Sequence, residues 1–396
     1  MIAFSVALGL VAFVLLLPAL SDLLSLLRIG TRRPSPATGA GADKLPRFLF
    51  LVPAHNEELL LPACLDSLQR MRYPRRRVDI IVVADNCTDR TADIARDAGV
   101  SCLVRTAPAD AGKPQAISWA IAQLPVGDYD SIVIVDADTE VDARFAACAA
   151  ESVGLRDKVL QPYNDVNNPD ENALTRMAAV LSAANHGLAY VLKTRAGLNV
   201  PLSVGMCIGS RVLAAHGWTV RSICEDWELY ALLTTRGVRI EEIPKARIRA
   251  QEAATLRASG SQRRRWTAGK LAVLAGYVGP LLRSRRTGVR QKIDALAELS
   301  APGPAVHLCL VAATIAAALL LHPPAFGWLA VLLLSTLLRP AVYTLAALGR
   351  DREPLRATLA FALLPLYAAW RMWIAVTSLG TLGSRLWIRT ERHPSR

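Results

Sequence analysis

The 396-residue sequence lacks the cysteine spacings that build a metal site or a disulfide framework. Its seven cysteines occur singly, with no Cys-x-x-Cys and no pair at metal-ligand spacing. Isolated cysteines of this kind are typical of small buried side chains in a reducing compartment. The sequence therefore argues against a zinc module and against a disulfide-rich secreted domain.

Acidic residues are also scarce, with 33 Asp and Glu against 46 Lys and Arg, for a formal net charge of +13. No zinc-ligand spacing, recognition-helix pattern or basic-aromatic interleaving accompanies this excess, so we expect no nucleic acid as a partner. Much of the excess instead flanks apolar segments, notably at Arg283, Arg285, Arg286, Arg290 and Lys292. Because such charges are attracted to anionic headgroups, membrane lipid is the expected partner.

Charge is absent from residues 2 to 20, a stretch long enough for a transmembrane helix. No Lys or Arg precedes it, which argues against a secretory signal peptide, whereas Arg28, Arg32 and Arg33 follow it closely. Positive charges favour the cytoplasmic side of a membrane. We therefore expect a membrane helix at 1–27 and a cytoplasmic linker at 28–46, rich in Pro, Gly and Ala.

Three further apolar stretches lie near the C-terminus, at residues 299–321, 325–348 and about 357–379. They are separated by the uncharged segment at His322 and by the basic segment Gly349–Arg356, which we expect to be cytoplasmic. Region 299–396 is thus expected to hold membrane and interfacial helices and a basic tail.

The last of these stretches contains Pro365 and Arg371, and an arginine inside a membrane is costly. A full crossing would also place the basic tail outside. We therefore predict a re-entrant or interfacial segment at 357–379, and an amphipathic interfacial region at 271–298.

Between the apolar segments, strand and helix patterns alternate, which predicts an α/β fold with a mostly parallel sheet. No Gly-x-Gly-x-x-Gly follows the first strand, which argues against dinucleotide binding. The predicted elements are strands at 47–52, 78–83, 100–105 and 131–135, and helices at 57–70, 89–98 and 114–123.

Asp136 and Asp138 end the β-branched run at 131–135, which is typical of a buried parallel strand. Ligands bind at the carboxyl edge of such strands. A carboxylate pair there suits a hard divalent cation, with other positions left for water and phosphate. The alternative is a strand that ends in a polar turn without a metal.

Six segments occur in the order found in family 2 glycosyltransferases. They are Val52-Pro-Ala-His-Asn-Glu-Glu58, Val82-Val-Ala-Asp-Asn-Cys-Thr-Asp89, Gly112-Lys113, Val135-Asp-Ala-Asp138, Cys224-Glu-Asp-Trp227 and Gln262-Arg-Arg-Arg-Trp266. The chain resembles the membrane-bound branch that includes cellulose, hyaluronan and poly-N-acetylglucosamine synthases, in which the tail motif Trp387-x-Arg-Thr-x-Arg392 also recurs. The resemblance implies a cytoplasmic GT-A type domain at 47–270 with transmembrane helices at both ends.

The resemblance also implies donor-binding roles. Pro53 and Glu57 lie in the loop that surrounds the nucleoside, although this loop also suits a helix N-cap turn. Asp85 matches an acid that accepts a hydrogen bond from uracil N3–H, which favours a UDP-sugar. Lys113 matches a phosphate contact, the alternative being a solvated side chain.

Asp136 and Asp138 match the ligands of Mg²⁺ or Mn²⁺, which would bridge the diphosphate. Asp226 matches the base that deprotonates the acceptor hydroxyl, the alternative being an acidic helix N-terminus. The Gln262, Arg265 and Trp266 motif matches a diphosphate-binding arginine and a tryptophan that stacks on the acceptor sugar. The alternative for this motif is the start of a basic interfacial helix.

These features predict an inverting, metal-dependent hexosyltransferase that passes a sugar from a UDP-sugar to a membrane-associated polysaccharide or lipid-linked acceptor. The Gln-x-x-Arg-Trp motif favours a processive synthase in polysaccharide synthesis, with partner subunits for export left open. The few apolar segments favour single addition to a lipid. An inactive scaffold or transporter is the remaining alternative, and the intact motifs argue against it. Richness in Ala, Arg and Leu suggests a bacterial source, so a multi-pass inner-membrane location is expected.

Overall fold

A computed structural model of the chain describes residues 2–31, 45–321 and 326–381. It divides into two compact units. The sheet unit lies within Arg33–Asn168 and Asn199–Ala253, and the helical unit within Met1–Arg32, Pro169–Leu198 and Ala254–Ser384. The predicted loop at His322, the Trp387–Arg392 motif and most of the predicted linker lie outside the described residues.

The sheet unit is built on one eight-stranded sheet in the order β3-β2-β1-β4-β7-β6-β8-β5. The strands are β1 (Phe48–Ala54), β2 (Val78–Asp85), β3 (Ser101–Arg105), β4 (Ser131–Ile134), β5 (Thr139–Val141), β6 (Val159–Val166), β7 (Cys207–Gly209) and β8 (Ile240–Ala250). Strand β1 pairs in parallel with β2 and β4, β2 with β3, and β6 with β8. The pairs β4–β7, β6–β7 and β5–β8 are antiparallel. The predicted α/β fold with a mostly parallel sheet is confirmed.

Helices and short 3-10 turns connect the strands of the sheet unit. They are α2 (Leu61–Gln69), α3 (Thr91–Asp97), α4 (Lys113–Ile121), α5 (Phe145–Ala150), α8 (Ser210–His216) and α9 (Glu225–Thr235), with 3-10 turns at Arg75–Arg77, Pro108–Asp110, Val126–Asp128 and Leu155–Asp157. In the core, the rings of Phe50 and Phe145 meet edge to face at 5.8 Å. Burial of each such side chain stabilises the unit by about 1.5–3 kcal/mol.

The helix after β1 begins one turn later than the sequence predicts, at Leu61 instead of Glu57. The backbone N–H groups of Leu60 and Leu61 donate to the Glu57 carbonyl at 3.2 and 3.0 Å, which forms an isolated turn. The Glu57 N–H itself donates to Thr91 Oγ1 at 2.8 Å. This bond to the first residue of α3 keeps Glu57 out of the helix, and Pro62 lies in the first turn of α2, where proline is favoured.

The helical unit contains α1 and all helices of the C-terminal part. These are α1 (Ile2–Thr31), α6 (Ala173–Ala184), α7 (Tyr190–Ala196), α10 (Leu256–Arg283), α11 (Val289–Ser300), α12 (Pro304–Leu321), α13 (Phe326–Thr336), α14 (Leu338–Leu348), α15 (Pro354–Ala360) and α16 (Leu364–Ser378), with a π-helical segment at Asn185–Ala189 and 3-10 turns at Phe361–Leu363 and Leu379–Thr381.

Within the described residues, three helical segments are long and apolar enough to cross a membrane: Gly9–Leu27, Gly327–Leu348 and Pro354–Ser378. Helices α11 and α12 pass the same test only as a pair, bent by 87°. The apolar stretch predicted at 299–321 is therefore not one helix. Pro302 and Pro304 end α11 and start α12, because proline removes a backbone donor. Apolar helices at both ends of the chain are confirmed.

Arg339 and Lys193 inside the helical unit pair with acidic side chains. Arg339 of α14 lies with its Nε 2.6 Å from Asp22 Oδ2 of α1. The Lys193 ammonium of α7 contacts Asp294 of α11 and lies 2.8 Å from Glu298 Oε1. Pairing of this kind offsets the cost of holding charge away from water.

Candidate functional site

Asp136 and Asp138 stand at the carboxyl end of β4, next to the carboxyl end of β1. The turn between them and β5 is closed by the Thr139 N–H, which donates to the Asp136 carbonyl at 3.0 Å. The Thr139 hydroxyl donates to Asp138 Oδ1 at 3.2 Å. Strands β1, β2 and β4 run parallel, so the loops that follow them meet at the same edge of the sheet.

Lys113 is the first residue of α4 and links two other predicted segments of the site. Its Nζ lies 2.6 Å from Asp136 Oδ1 and 2.7 Å from Glu225 Oε1. Burial opposes the charged form, but Asp136 and Glu225 outweigh it and raise the pKa of Lys113 above its ordinary value. Lys113 is thus a fixed cation between two carboxylates and not a solvated loop side chain.

Asp226 follows Glu225 in the first turn of α9, and its Oδ1 accepts the Trp227 N–H at 2.7 Å. Burial and then the adjacent Glu225 carboxylate raise the pKa of Asp226 to about 7. A carboxylate that titrates near neutral pH suits general base chemistry. Glu228 has a different task, because its Oε2 accepts the N–H groups of Arg221 and Ser222 at 3.0 and 2.8 Å.

Asp85 at the end of β2 is only 4% exposed and forms an ion pair that the sequence analysis missed. Arg105 Nη1 lies 2.6 Å from Asp85 Oδ1, and Arg105 Nη2 lies 2.8 Å from Asp110 Oδ2. The Gly112 N–H reaches Asp85 Oδ2 at 3.4 Å. The pair therefore orders the 3-10 turn that leads into Lys113. Asp85 and Arg105 end adjacent strands in register, so this pairing can be recognised only once the register of β2 and β3 is known.

Hydrogen bonds join the loop after β1 to the loop after β2 around the predicted nucleoside site. Pro53 lies at the end of β1, and Glu57 lies in the loop that follows it. Asn56 Oδ1 accepts the Thr88 N–H at 2.8 Å, and His55 Nδ1 lies 2.7 Å from the Asp85 carbonyl oxygen. Asn56 and Asn86 both have positive φ, 54° and 51°. Such left-handed backbone is uncommon outside glycine and marks sharply turned loop ends.

Gln262, Arg265 and Trp266 lie in the helical unit, in the first part of α10. The guanidinium of Arg263 stacks over the Trp266 ring at 4.8 Å from its centroid, and Trp266 is 37% exposed. The structure thus brings together Lys113, Asp136 and the start of α9 in the sheet unit, and it places the Gln-x-x-Arg-Trp motif on a helix of the other unit.

The strand-end acids offer a metal two side chains of suitable chemistry. Among the described residues, no three His, Cys, Asp or Glu side chains are grouped as a metal site. Mg²⁺ and similar hard cations bind through one or two carboxylates, with substrate phosphates and water completing the shell. Asp136 and Asp138 therefore fit a cation that arrives with a diphosphate.

Comparison with known proteins identifies the family. The model of glycosyltransferase-like family 2 matches residues 46–269. The chain belongs to this family. The predicted membership of the family 2 glycosyltransferases is thereby confirmed.

Two curated relatives share this region. The probable glycosyltransferase YdaM of Bacillus subtilis is 27% identical over 278 residues, which are 64% of this chain and 62% of that protein. A beta-monoglucosyldiacylglycerol synthase of a Nostoc species is 25% identical over 260 residues, which are 64% of this chain and 54% of that protein. The matched region thus spans less than two thirds of these relatives.

One solved structure resembles nearly the whole chain. The mannosyltransferase PcManGT of Pyrobaculum calidifontis, described in complex with GDP-Man and Mn²⁺, superposes with a TM-score of 0.56 at 18% identity. The match covers 95% of this chain and 98% of that one. It confirms the fold, a GT-A type domain with a mixed, mostly parallel sheet.

Proposed function

We propose that this enzyme transfers a sugar, with inversion, from a nucleotide-sugar to an acceptor at the membrane surface, using a divalent cation. The observation that carries the proposal is the cluster at the sheet edge. Lys113 bridges Asp136 and Glu225, and Asp226 follows Glu225 directly. A phosphate-binding cation, a metal-binding acid and a candidate base are thus held in one unit.

On the donor side, Asp136 and Asp138 would hold Mg²⁺ or Mn²⁺, which when bound neutralises charge on the diphosphate. Lys113 would turn from Asp136 to the phosphates. The complex of PcManGT with GDP-Man and Mn²⁺ supports this donor class. A UDP-sugar is favoured by Asp85, because its carboxylate would accept a hydrogen bond from uracil N3–H.

On the acceptor side, Asp226 takes the proton of the attacking hydroxyl. The hydroxyl oxygen bonds to the anomeric carbon from the face opposite the diphosphate, and the nucleoside diphosphate leaves with the electrons of the bond that breaks. Burial beside Glu225 brings the pKa of Asp226 to about 7, so the carboxylate is both available and basic at neutral pH.

A lipid is the favoured acceptor. Apolar helices flank the enzyme domain in the sequence, and a Nostoc relative is named as a synthase of a glucosyl diacylglycerol. The second candidate is a polysaccharide, as in the cellulose and hyaluronan synthase branch, and a glucomannan mannosyltransferase of Arabidopsis thaliana is 22% identical over 265 residues. The Gln262, Arg265 and Trp266 motif would contact diphosphate and acceptor in either case. The expected setting is the bacterial inner membrane, with the sheet unit in the cytoplasm.

The test is nucleotide release by the purified full chain in detergent. A panel of UDP- and GDP-sugars is supplied with Mn²⁺, with and without bacterial lipid extract, and Asp226→Asn serves as the matched inactive control. One donor should release nucleotide faster when lipid is present, and the lipid should gain one hexose by mass. Release no faster than in Asp226→Asn for every donor would contradict the proposal.

A further inference from the structure

Arg371, on the apolar helix α16, has no partner for its charge among the described residues. It forms no ion pair and no hydrogen bond with any residue in the described part of the chain, although its Nη1 is fully buried. The charged residue that affects it is Arg263 of α10, which has the same sign. A buried donor without an acceptor is destabilising, and two neighbouring guanidinium groups repel each other. The charge of Arg371 therefore lacks a counterion among the described residues.

Arg339 provides the comparison within the same unit. It too lies in an apolar helical segment, and it is paired at 2.6 Å with Asp22 and at 3.7 Å with Glu298. The described residues of the helical unit thus supply carboxylates to Arg339 and none to Arg371. The difference indicates that the anion for Arg371 comes from outside the described part of the chain.

The packing of α16 on α10 indicates how deep in the membrane Arg371 lies. A Cβ on Gly260 of α10 would lie 3.7 Å from Trp370 and 3.8 Å from Ile374, so this part of α16 rests against the first turns of α10. Those turns carry Arg257, Arg263, Arg264 and Arg265. Four arginines this close together do not lie in hydrocarbon, which places Arg371 at the level of the lipid headgroups.

The surroundings of Arg371 agree with that depth. Leu366 and Trp373 on the same helix are 73% and 63% exposed, which leaves an apolar face for acyl chains. Tyr367 and Trp370 pack against each other with ring centroids 5.6 Å apart. Tryptophan and tyrosine are enriched where a membrane meets water. The anion most abundant at this level is the phosphate of a phospholipid.

We propose that Arg371 and Arg263 bind the phosphate of a membrane phospholipid between α10 and α16. The guanidinium of Arg371 donates to the phosphate oxygens as a fork, the geometry in which arginine holds phosphate best. The acyl chains lie along the exposed apolar face of α16. The proposal shares with the proposed function only the membrane location of the helical unit, and it does not require sugar transfer.

The test measures phospholipid bound to the full-length protein in an uncharged detergent. Phosphatidylglycerol is titrated, and retained lipid is counted by native mass spectrometry for wild type, Arg371→Gln and Arg285→Gln. Arg285 is exposed on the same unit, so its variant loses the same charge without the site. Arg371→Gln loses the paired, charge-assisted hydrogen bonds to the phosphate and should retain lipid about tenfold more weakly. Arg285→Gln should retain lipid as the wild type does. Equal retention by all three proteins would overturn the proposal.

Two further arms make the result specific. Inorganic phosphate at millimolar concentration should not displace the lipid, because it lacks the acyl chains; displacement would show a site for free phosphate instead. If Arg371→Gln elutes as aggregate, Arg371→Lys and Arg263→Gln replace it, and each should lower retention because one loses the fork and the other a charge. Wild-type retention in both would refute the site. Nucleotide release with water as acceptor is measured on the same samples, so failure of the proposed function is scored separately.

Discussion

The ammonium of Lys113 lies 2.6 Å from Asp136 Oδ1, so the residue proposed for the phosphates and a residue proposed for the metal neutralise each other in this structure. A donor that drew Lys113 away without a cation would leave Asp136 unpaired, whereas a cation on Asp136 leaves Lys113 with Glu225 and freer to contact the phosphates. Donor affinity and metal affinity are therefore expected to depend on each other.

The first prediction concerns the strand-end acids. Asp138→Asn removes an anionic ligand and should lower transfer by about 100-fold or more, since a metal ligand acts directly on the leaving diphosphate. The melting temperature should change little, because Asp138 lies in an edge turn and not in the core. Initial rates over a Mn²⁺ titration check this, with Asp97→Asn, an exposed Asp on α3, as control. Full turnover of Asp138→Asn, or of wild type in excess chelator, would contradict the proposed metal-binding role of Asp138.

The second prediction concerns Lys113. Lys113→Gln should raise the KM for the donor, because the phosphate contact is lost. It should also shift the pH midpoint of kcat upward, since Lys113 lowers the pKa of Asp226 and that effect disappears. Rates measured from pH 5 to pH 9 at saturating donor separate the two effects. A raised KM without a shift in the pH midpoint would mean that Lys113 does not act on the base.

The third prediction concerns Asp226. Its pKa is raised in the folded protein to about 7 from the ordinary value of 3.8, so the folded state keeps the proton to a higher pH than the unfolded state does. Asp226 therefore destabilises the fold progressively as pH rises from about 4 to about 7, and the penalty is complete above that range. Asp226→Asn should abolish transfer, keep nucleotide affinity, and melt a few degrees higher than wild type at pH 8.

At pH 5, where Asp226 is mostly protonated in the folded protein, this gain in melting temperature should shrink. Thermal melts at both pH values and nucleotide titration by calorimetry check the prediction. A gain of the same size at pH 5 and pH 8 would show that the Asp226 charge is not the cause. Loss of nucleotide binding in Asp226→Asn would make the residue structural.

The sequence predicts features that depend on neighbouring residues, and it does not predict contacts between residues far apart in the chain. The strand before Asp136 is recognisable because its β-branched residues are consecutive, and the motif order pointed to the family. The bridge from Lys113 to Glu225 joins residues far apart in the chain, and the pairing of Asp85 with Arg105 depends on the register of β2 and β3. Neither contact is visible in a local pattern. The late start of α2 has the same origin, in a bond from Glu57 to Thr91.

The last prediction concerns the path of α15 and α16 through the membrane. Asp351 and Glu353, just before α15, lie 3.2 and 3.4 Å from the guanidinium of Arg176 on α6. Further along, α16 packs on the arginine-rich start of α10. Both α6 and α10 begin where the chain leaves the sheet unit, which we expect in the cytoplasm. The α15–α16 segment should therefore return to the side on which it begins.

Single cysteines test this path in intact cells, in a background in which all seven native cysteines are replaced by alanine. Arg352→Cys before α15 and Leu379→Cys after α16 should both resist a membrane-impermeant maleimide added outside and react once the cells are opened. His322→Cys, in the uncharged loop expected outside, serves as the positive control for external labelling. Labelling of Leu379→Cys but not Arg352→Cys from outside would show that Pro354–Ser378 crosses the bilayer, because only a full crossing exposes one end and hides the other.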